Sequence, residues 1–152
     1  MIGLVNFGSI YTTFEKTQSE IGLDYKKIKT WTLNGPSNIH IIPDFENGTI
    51  TINKTGTYVI NASLSFRGTN ERIYTVALFR NNTVSGPVTI KKYVGPNLKT
   101  NDMSALGIIE ITEVPTVLDI RIKCDQFASN VLQMQAAQFT IFQIIATPMG
   151  NQ

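Results

Sequence analysis

The sequence predicts an all-β protein, a sandwich or barrel built from short strands. The clearest strand lies between Tyr58 and Phe66, where apolar residues alternate with small polar ones. From about residue 30 onward similar short runs recur, separated by turns rich in Gly, Asn and Pro. Because alternate side chains of a strand lie on opposite faces, this spacing predicts strands with one face in a core.

The strands are predicted from alternating or continuous apolar runs between turn residues. They span residues 29–33, 39–42, 48–52, 58–66, 73–79, 88–93, 104–111, 117–124 and 138–146. Gly supplies positive φ in the intervening turns and Asn tolerates it. Pro115 cannot donate to a ladder and therefore marks the end of a strand. At 152 residues the chain is long enough for one domain with a substantial core.

The first 28 residues are less regular, and two interpretations stay open. Ile10 and its neighbours can begin a strand, whereas the apolar residues from Ile21 to Ile28 stand at helical spacing. We therefore divide the chain into an N-terminal attachment arm or first strand, residues 1–30, and a main domain, residues 31–148.

The strand 58–66 has one apolar face and one face without charge. The second face carries Val59, Asn61 and Ser63. Such a face either packs closely against another protein surface or meets solvent with Ser and Asn, and the residues alone favour neither. The side chains predicted to form the core are Tyr58, Leu64, Phe66, Leu78, Ile120 and Phe142.

Composition narrows the class of protein. Charged residues make up 16% of the chain, against about 25% in an average soluble protein. A low-charge surface is typical of chains that associate. The net charge of +2 argues against nucleic acid as a partner. No apolar run approaches the roughly 18 residues of a membrane helix, so we expect no membrane insertion. The N-terminus resembles no secretory signal, which predicts synthesis in a cytoplasm.

Catalytic chemistry is not expected. The sequence has one cysteine, Cys124, and one histidine, His40. Cys124 continues an alternating apolar run and is predicted to be a buried thiol. No phosphate-binding loop or zinc-binding motif is present. We therefore predict that the protein is not an enzyme and that it needs no cofactor.

Six segments, taken in order, resemble a known family. They are Phe45 before the strand 47–52, the Gly-any-aromatic step Gly56-Thr57-Tyr58, the strand and Asn-rich turn 76–82, the small-residue strand 104–109, the strand 117–122 and the closing aromatic strand 139–145. This order is similar to the jelly-roll trimers of the tumour necrosis factor and complement globular-head superfamily. The chain differs in having Glu113-Val114-Pro115 where the family often has Gly-Asp, and in lacking a collagen-like stalk.

The resemblance implies a two-sheet antiparallel jelly-roll sandwich that assembles as a homotrimer. In the family the second face of the central strand looks toward the threefold axis. Val59, Asn61 and Ser63 would then form the trimer interface. Some members bind calcium on loops near the axis, a role that the resemblance would give to Asp102 or Asp125.

We expect a non-enzymatic structural or adhesive virion protein: a head fibre, capsid decoration or tail-fibre knob of a bacteriophage. Its partners would be two further copies, other capsid or fibre proteins, and a host-surface receptor or glycan. It would be assembled in the host cytoplasm and reside in the virion. The residues predicted to attach it are Phe7, Ile10, Tyr11 and Phe14. Polar turns at 34–38, 69–72, 81–87 and 95–102 would face outward as binding loops.

The alternative is a cellular binding module. It would be a surface or spore-coat head, or a ligand-type trimer, that recognises a receptor or glycan. This alternative shares the predicted fold and trimer and differs in its partners.

Overall fold

The computed structural model describes residues 5–96, 99–127 and 129–145, apart from the side chains of Gly86 and Pro87. Within these ranges the chain forms strands and no helix. The strands are β1 (Phe7–Thr12), β2 (Lys16–Ile21), β3 (Lys26–Lys27), β4 (Leu33–Asn34), β5 (Ile41–Asp44), β6 (Thr49–Ile52), β7 (Gly56–Gly68), β8 (Arg72–Arg80), β9 (Thr83–Val94), β10 (Asn101–Ile111), β11 (Thr116–Cys124) and β12 (Asn130–Ile144).

The strands make two sheets, and every pairing is antiparallel. The first sheet has the order β10-β7-β12-β1-β4, with β2 also paired to β12. The second sheet has the order β5-β6-β11-β8-β9, with β3 also paired to β11. From β6 onward the chain passes repeatedly between the two sheets. The predicted two-sheet antiparallel jelly-roll sandwich is thus confirmed.

The core lies between the two sheets and is rich in aromatic side chains. The rings of Phe66 and Tyr74 meet edge to face, with their centroids 5.6 Å apart. Those of Trp31 and Phe139 lie 6.3 Å apart. All four side chains are buried. Because aromatic residues bury the largest apolar areas, they are a major source of stability for this sandwich.

The predicted register of the central strand is confirmed. Tyr58, Leu64 and Phe66 of β7 are buried in the core, together with Leu78 of β8 and Ile120 of β11. Strict alternation over many residues specifies which face of a strand is buried, because a shift by one residue would expose the whole apolar set.

Phe142 is a correction, because it is 42% exposed and lies on the outer side of the first sheet. In this part of β12 the core positions are Phe139 and Ile141, and before the bulge they are Leu132 and Met134. The run from 139 to 145 is apolar at both odd and even positions, so its alternation is ambiguous. A bulge between Met134 and Ala136 also shifts the pairing of β12 with β7.

The N-terminal segment is part of both sheets. β1 pairs with β12 on one side and with β4 on the other. Ile10, Ile21 and Ile28 are completely buried. The helix interpretation is wrong, and residue 30 does not divide an attachment arm from the sandwich. The predicted strand 29–33 is also wrong except at its end, since β4 begins at Leu33.

The turn between β8 and β9 is tighter than predicted. Asn81 and Asn82 have φ of 48° and 66°, as in a two-residue hairpin turn with two left-handed residues. β9 therefore starts at Thr83, and most of the predicted loop 81–87 is strand. The predicted loop 95–102 includes residues 97 and 98, which lie outside the described residues. The predicted ends of the last strand at 146 and of the domain at 148 lie outside them as well.

Candidate oligomer interface

The side of the first sheet that faces away from the core is the candidate site, and we call it the outer face. Val59, Asn61 and Ser63 lie on it in β7, between β10 and β12. Antiparallel pairing places directly opposite residues on the same face. The cross-strand rows are Ile108–Val59–Phe142–Phe7, Leu106–Asn61–Thr140–Ser9 and Ser104–Ser63–Gln138–Tyr11.

Large apolar side chains are concentrated at one end of the outer face. Leu106 is 67% exposed and Ile108 is 56% exposed. Phe142, Ile144 and Phe7 are exposed by 42%, 41% and 37%. We call these five residues the apolar band.

The charged residues of β7 and β10 on the outer face lie away from the three central rows: Asp102 and Glu110 in β10, and Arg67 near the end of β7. The Ser65 hydroxyl donates to the Asp102 carboxylate at 2.7 Å, and the Thr57 hydroxyl donates to the Glu110 carboxylate at 2.5 Å. These two pairs lie beyond the three central rows at opposite ends of β10. The three central rows carry no charged residue. The sequence predicted this for the β7 residues Val59, Asn61 and Ser63.

A groove crosses the outer face at the end away from the apolar band. Its cavity volume is about 300 Å³. The lining side chains come from β1, the turn after it, β7 and β12, and include Tyr11, Ser63, Ala136 and Gln138. The bulge in β12 lies at this point. The outer face is therefore concave at one end and apolar at the other, which suits packing against a protein surface.

The residues predicted for attachment separate into three environments. Phe7 and Tyr11 lie on the outer face, in the same rows as Val59 and Ser63. Ile10 points into the core and is inaccessible, so it cannot contribute to an attachment surface. Phe14 is 60% exposed in the turn between β1 and β2. Two of the four residues predicted for attachment thus share one surface with the predicted trimer interface.

Sequence reasoning missed the apolar band. Leu106 and Ile108 alternate with buried Ile109 and Ile111 in a segment that is apolar on both faces. The available signal was this double-sided hydrophobicity, which indicates a strand covered on both sides.

The residues considered for other chemistry are not brought together. Burial raises the pKa of the Cys124 thiol, which disfavours a nucleophilic thiolate. Asp102 and Asp125 lie on separate strand ends, and Asp125 accepts a hydrogen bond from the Ile73 amide at 3.1 Å. Among the described residues, no three His, Cys, Asp or Glu side chains are grouped to hold a metal ion. In the same ranges, no helical segment has the length and apolarity to cross a bilayer.

Comparison with known proteins identifies the fold. No protein-family model matches the chain, and no curated protein sequence matches it. The structure is similar to that of Eiger TNF from S. frugiperda, with a TM-score of 0.65 and 11% sequence identity. The similarity covers 97% of this chain and 98% of that chain. At so low an identity the likeness establishes the fold alone, and the fold of this protein is a TNF-like jelly roll.

Proposed function

We propose that the protein is a non-enzymatic jelly-roll trimer that acts by assembly and binding. The observation that supports this proposal is the outer face of the first sheet. Its central rows are uncharged, and large apolar side chains stand exposed beside them. A contiguous patch of this kind is typical of a protein–protein interface.

The apolar band supplies a driving force for association. Leu106 and Ile108 are more than half exposed, and Phe142 is only slightly less so. Complete burial of such a side chain is worth about 1.5–3 kcal/mol, so each partly exposed residue could add about 1 kcal/mol per protomer. The central rows avoid the large cost of burying a charge, and their Ser, Asn, Thr and Gln side chains would form hydrogen bonds within the assembly.

The number of copies is proposed from the fold. The resemblance found in the sequence implies three subunits around an axis that this sheet faces. The column of Val59, Asn61 and Ser63 would then lie closest to the axis. Phe7 and Tyr11 would be covered by the same assembly, so they would belong to the trimer interface and not to an attachment surface.

The biological setting that we propose is a bacteriophage virion. The protein would serve there as a head fibre, a capsid decoration or a tail-fibre knob. Low charge and a single cysteine are consistent with a chain that assembles in a host cytoplasm. Attachment to a capsid or fibre protein would fall to Phe14, whose exposed ring lies outside the rows of the outer face. Host recognition would use a receptor or glycan.

The second candidate is a ligand-type binding module of a cell. The structural likeness to a TNF favours this setting, because the two chains match over almost their whole lengths. Co-purification separates the candidates. A virion protein should sediment with particles from infected cells, and Phe14→Ser should reduce its incorporation. Recovery solely as a free trimer would support the cellular module.

The trimer is tested by multi-angle light scattering at micromolar concentration. The protomer has a mass of 16.9 kDa, so a trimer should give three times that value. A single species at the protomer mass would contradict the proposed assembly in either setting.

A further inference from the structure

We propose that the second sheet carries a binding site for an acidic saccharide, a sugar ring that bears a carboxylate. The site is a cavity of about 290 Å³ on the side of that sheet facing away from the core. The residues that line it are Leu23, Ile73, Thr75, Lys91, Lys123, Cys124 and Asp125. The inference rests on the proposed adhesive role, for which it names a class of ligand. The cavity itself is formed by residues of one protomer.

Pairing of three strands brings two lysines to one point. Thr75 of β8 is directly opposite Lys123 of β11 and directly opposite Lys91 of β9. Directly opposite residues share a face, and adjacent strands lie about 4.8 Å apart, so the lysine backbones are roughly 10 Å apart across Thr75. Because a lysine has a long flexible stem, both ammonium groups can reach one anion above Thr75, the Lys123 ammonium by leaving its place over the Tyr25 ring.

Thr75 provides a polar floor between the two cations. Its side chain is only 5% exposed. Thr75 lines the cavity between the two lysines. A threonine hydroxyl can both donate and accept hydrogen bonds, so it offers a bound ligand a polar contact at this point.

The charge balance of the cavity favours an anion. The Lys123 ammonium lies 4.6 Å from the centre of the Tyr25 ring. Within the described ranges, neither this ammonium nor that of Lys91 forms an ion pair. Asp125 is the acidic group in the lining, and its carboxylate accepts a hydrogen bond from the Ile73 amide at 3.1 Å. Two lysines and one aspartate leave a net positive site, so the carboxylate of a ligand would bind between the lysines.

The apolar part of the lining distinguishes a sugar from a simple anion. Leu23 and Ile73 are 48% and 40% exposed. Tyr93, paired with Ile73 on the same face, is 57% exposed. An inorganic anion would leave these side chains uncovered, whereas the C–H face of a sugar ring would pack on them. The cavity is close to the lower limit of ligand sites, about 300 Å³, which suits one monosaccharide.

The test is an NMR titration of the intact protein with glucuronate, glucose and acetate as separate probes. Glucuronate should shift the resonances of Leu23, Ile73 and Thr75 in a saturable manner. Glucose lacks the carboxylate and should bind at least about tenfold more weakly, the loss expected for one charge-assisted contact. Acetate keeps the carboxylate but lacks the ring, so it should also bind more weakly because it leaves Leu23 and Ile73 uncovered. Equal affinity for acetate would reduce the site to a simple anion site, and absence of saturable shifts with glucuronate would overturn the proposal.

Variants assign the binding to this cavity. The double variant Lys91→Gln with Lys123→Gln should weaken glucuronate at least tenfold. Lys54→Gln removes an exposed lysine from the turn between β6 and β7 and should leave binding unchanged. Equal losses in both variants would indicate a general charge effect and contradict the site. Light scattering on the same samples reports the trimer independently, so loss of either property can be recognised without the other.

Discussion

At the scale of single residues, the backbone conformation of Gly56 explains why a glycine opens the Gly-any-aromatic step. It opens β7 with a φ of 147°, a conformation that side-chain-bearing residues rarely adopt. A Cβ at this position would also collide with the side-chain amide of Gln143 in β12. The Gly-any-aromatic step therefore meets a backbone requirement at Gly56 and leaves room for the Gln143 side chain, while Tyr58 enters the core.

Leu64→Ala tests the core register at this scale. Leu64 is 2% exposed, and truncation of a buried leucine costs about 2–5 kcal/mol through lost transfer energy and a residual cavity. Urea unfolding provides the measurement. Ile39→Ala is the control, because Ile39 is 85% exposed and should change the free energy of unfolding by less than about 0.5 kcal/mol. A loss at Leu64 as small as that of the control would contradict the register of β7.

Tyr74 predicts a dependence of stability on pH. Its hydroxyl donates to the Val131 carbonyl and accepts from the Thr69 amide, both at 2.8 Å. Burial raises the pKa of Tyr74 above its usual value of about 10. The unfolded chain therefore loses this proton at lower pH than the folded chain does. The stabilisation is complete below pH of about 10 and is lost as the pH rises through the folded-state pKa.

Tyr74→Phe should destabilise the protein by about 1 kcal/mol at pH 8, because it removes the partner of the part-buried Val131 carbonyl and Thr69 amide. The difference from the unsubstituted protein should shrink above pH 10. Urea unfolding at several pH values measures both quantities. A difference that stays constant up to pH 11 would show that Tyr74 ionises alike in the folded and unfolded chains.

At the scale of elements, the meeting of β10, β7, β12 and β1 creates the outer face. The apolar band takes two residues from β10, two from β12 and one from β1, and no single strand forms the patch alone. Pairing aligns Ile108, Val59, Phe142 and Phe7 in one row. The candidate interface is thus a property of the sheet and of its register.

Asn61→Asp should weaken the proposed assembly. Asn61 lies in the middle of the uncharged rows, and three buried like charges near one axis would repel each other and lose hydration. Light scattering over a dilution series should show dissociation at a higher protein concentration than for the unsubstituted chain. The matched control is Asn53→Asp, the same change at an exposed turn position. Equal behaviour of the two variants would show that β7 does not face a neighbouring subunit.

At the scale of the whole molecule, the N-terminal segment holds the sandwich together. β1 lies inside the first sheet, while β2 and β3 extend the two sheets along β12 and β11. Thr12 donates to the Thr30 carbonyl at 2.9 Å, and Gln18 bonds with the backbone of Lys27 and Lys29. Sheets of this kind depend on strands that are distant in sequence.

Deletion of residues 1–28 should therefore abolish folding instead of producing a trimer that fails to attach. The loss of Ile10, Ile21 and Ile28 alone removes about 5–9 kcal/mol of burial, against a typical total stability of about 5–15 kcal/mol. Circular dichroism and urea unfolding give the measurement. A truncated protein with a cooperative transition would show that the remaining strands form an independent domain.

The sequence by itself determined the all-β class, the buried face of β7 and the turn at Asn81 and Asn82. These features depend on local rules: side-chain alternation with a period of two, and backbone angles that Asn and Gly tolerate. The absence of charge on one face of β7 could also be predicted from the sequence, because that face consists of every second residue of one strand.

Only the tertiary structure decided which strands are neighbours and which ambiguous apolar residues are buried. Phe7 lies opposite Phe142 although nearly the whole chain separates them, and a bulge in β12 sets the face on which Phe142 lies. Likewise, Lys91 of β9 and Lys123 of β11 lie on either side of Thr75 in β8. Such proximities arise from long-range pairing, in which the burial of many residues together selects one register. No local pattern encodes that selection, and both proposed surfaces depend on it.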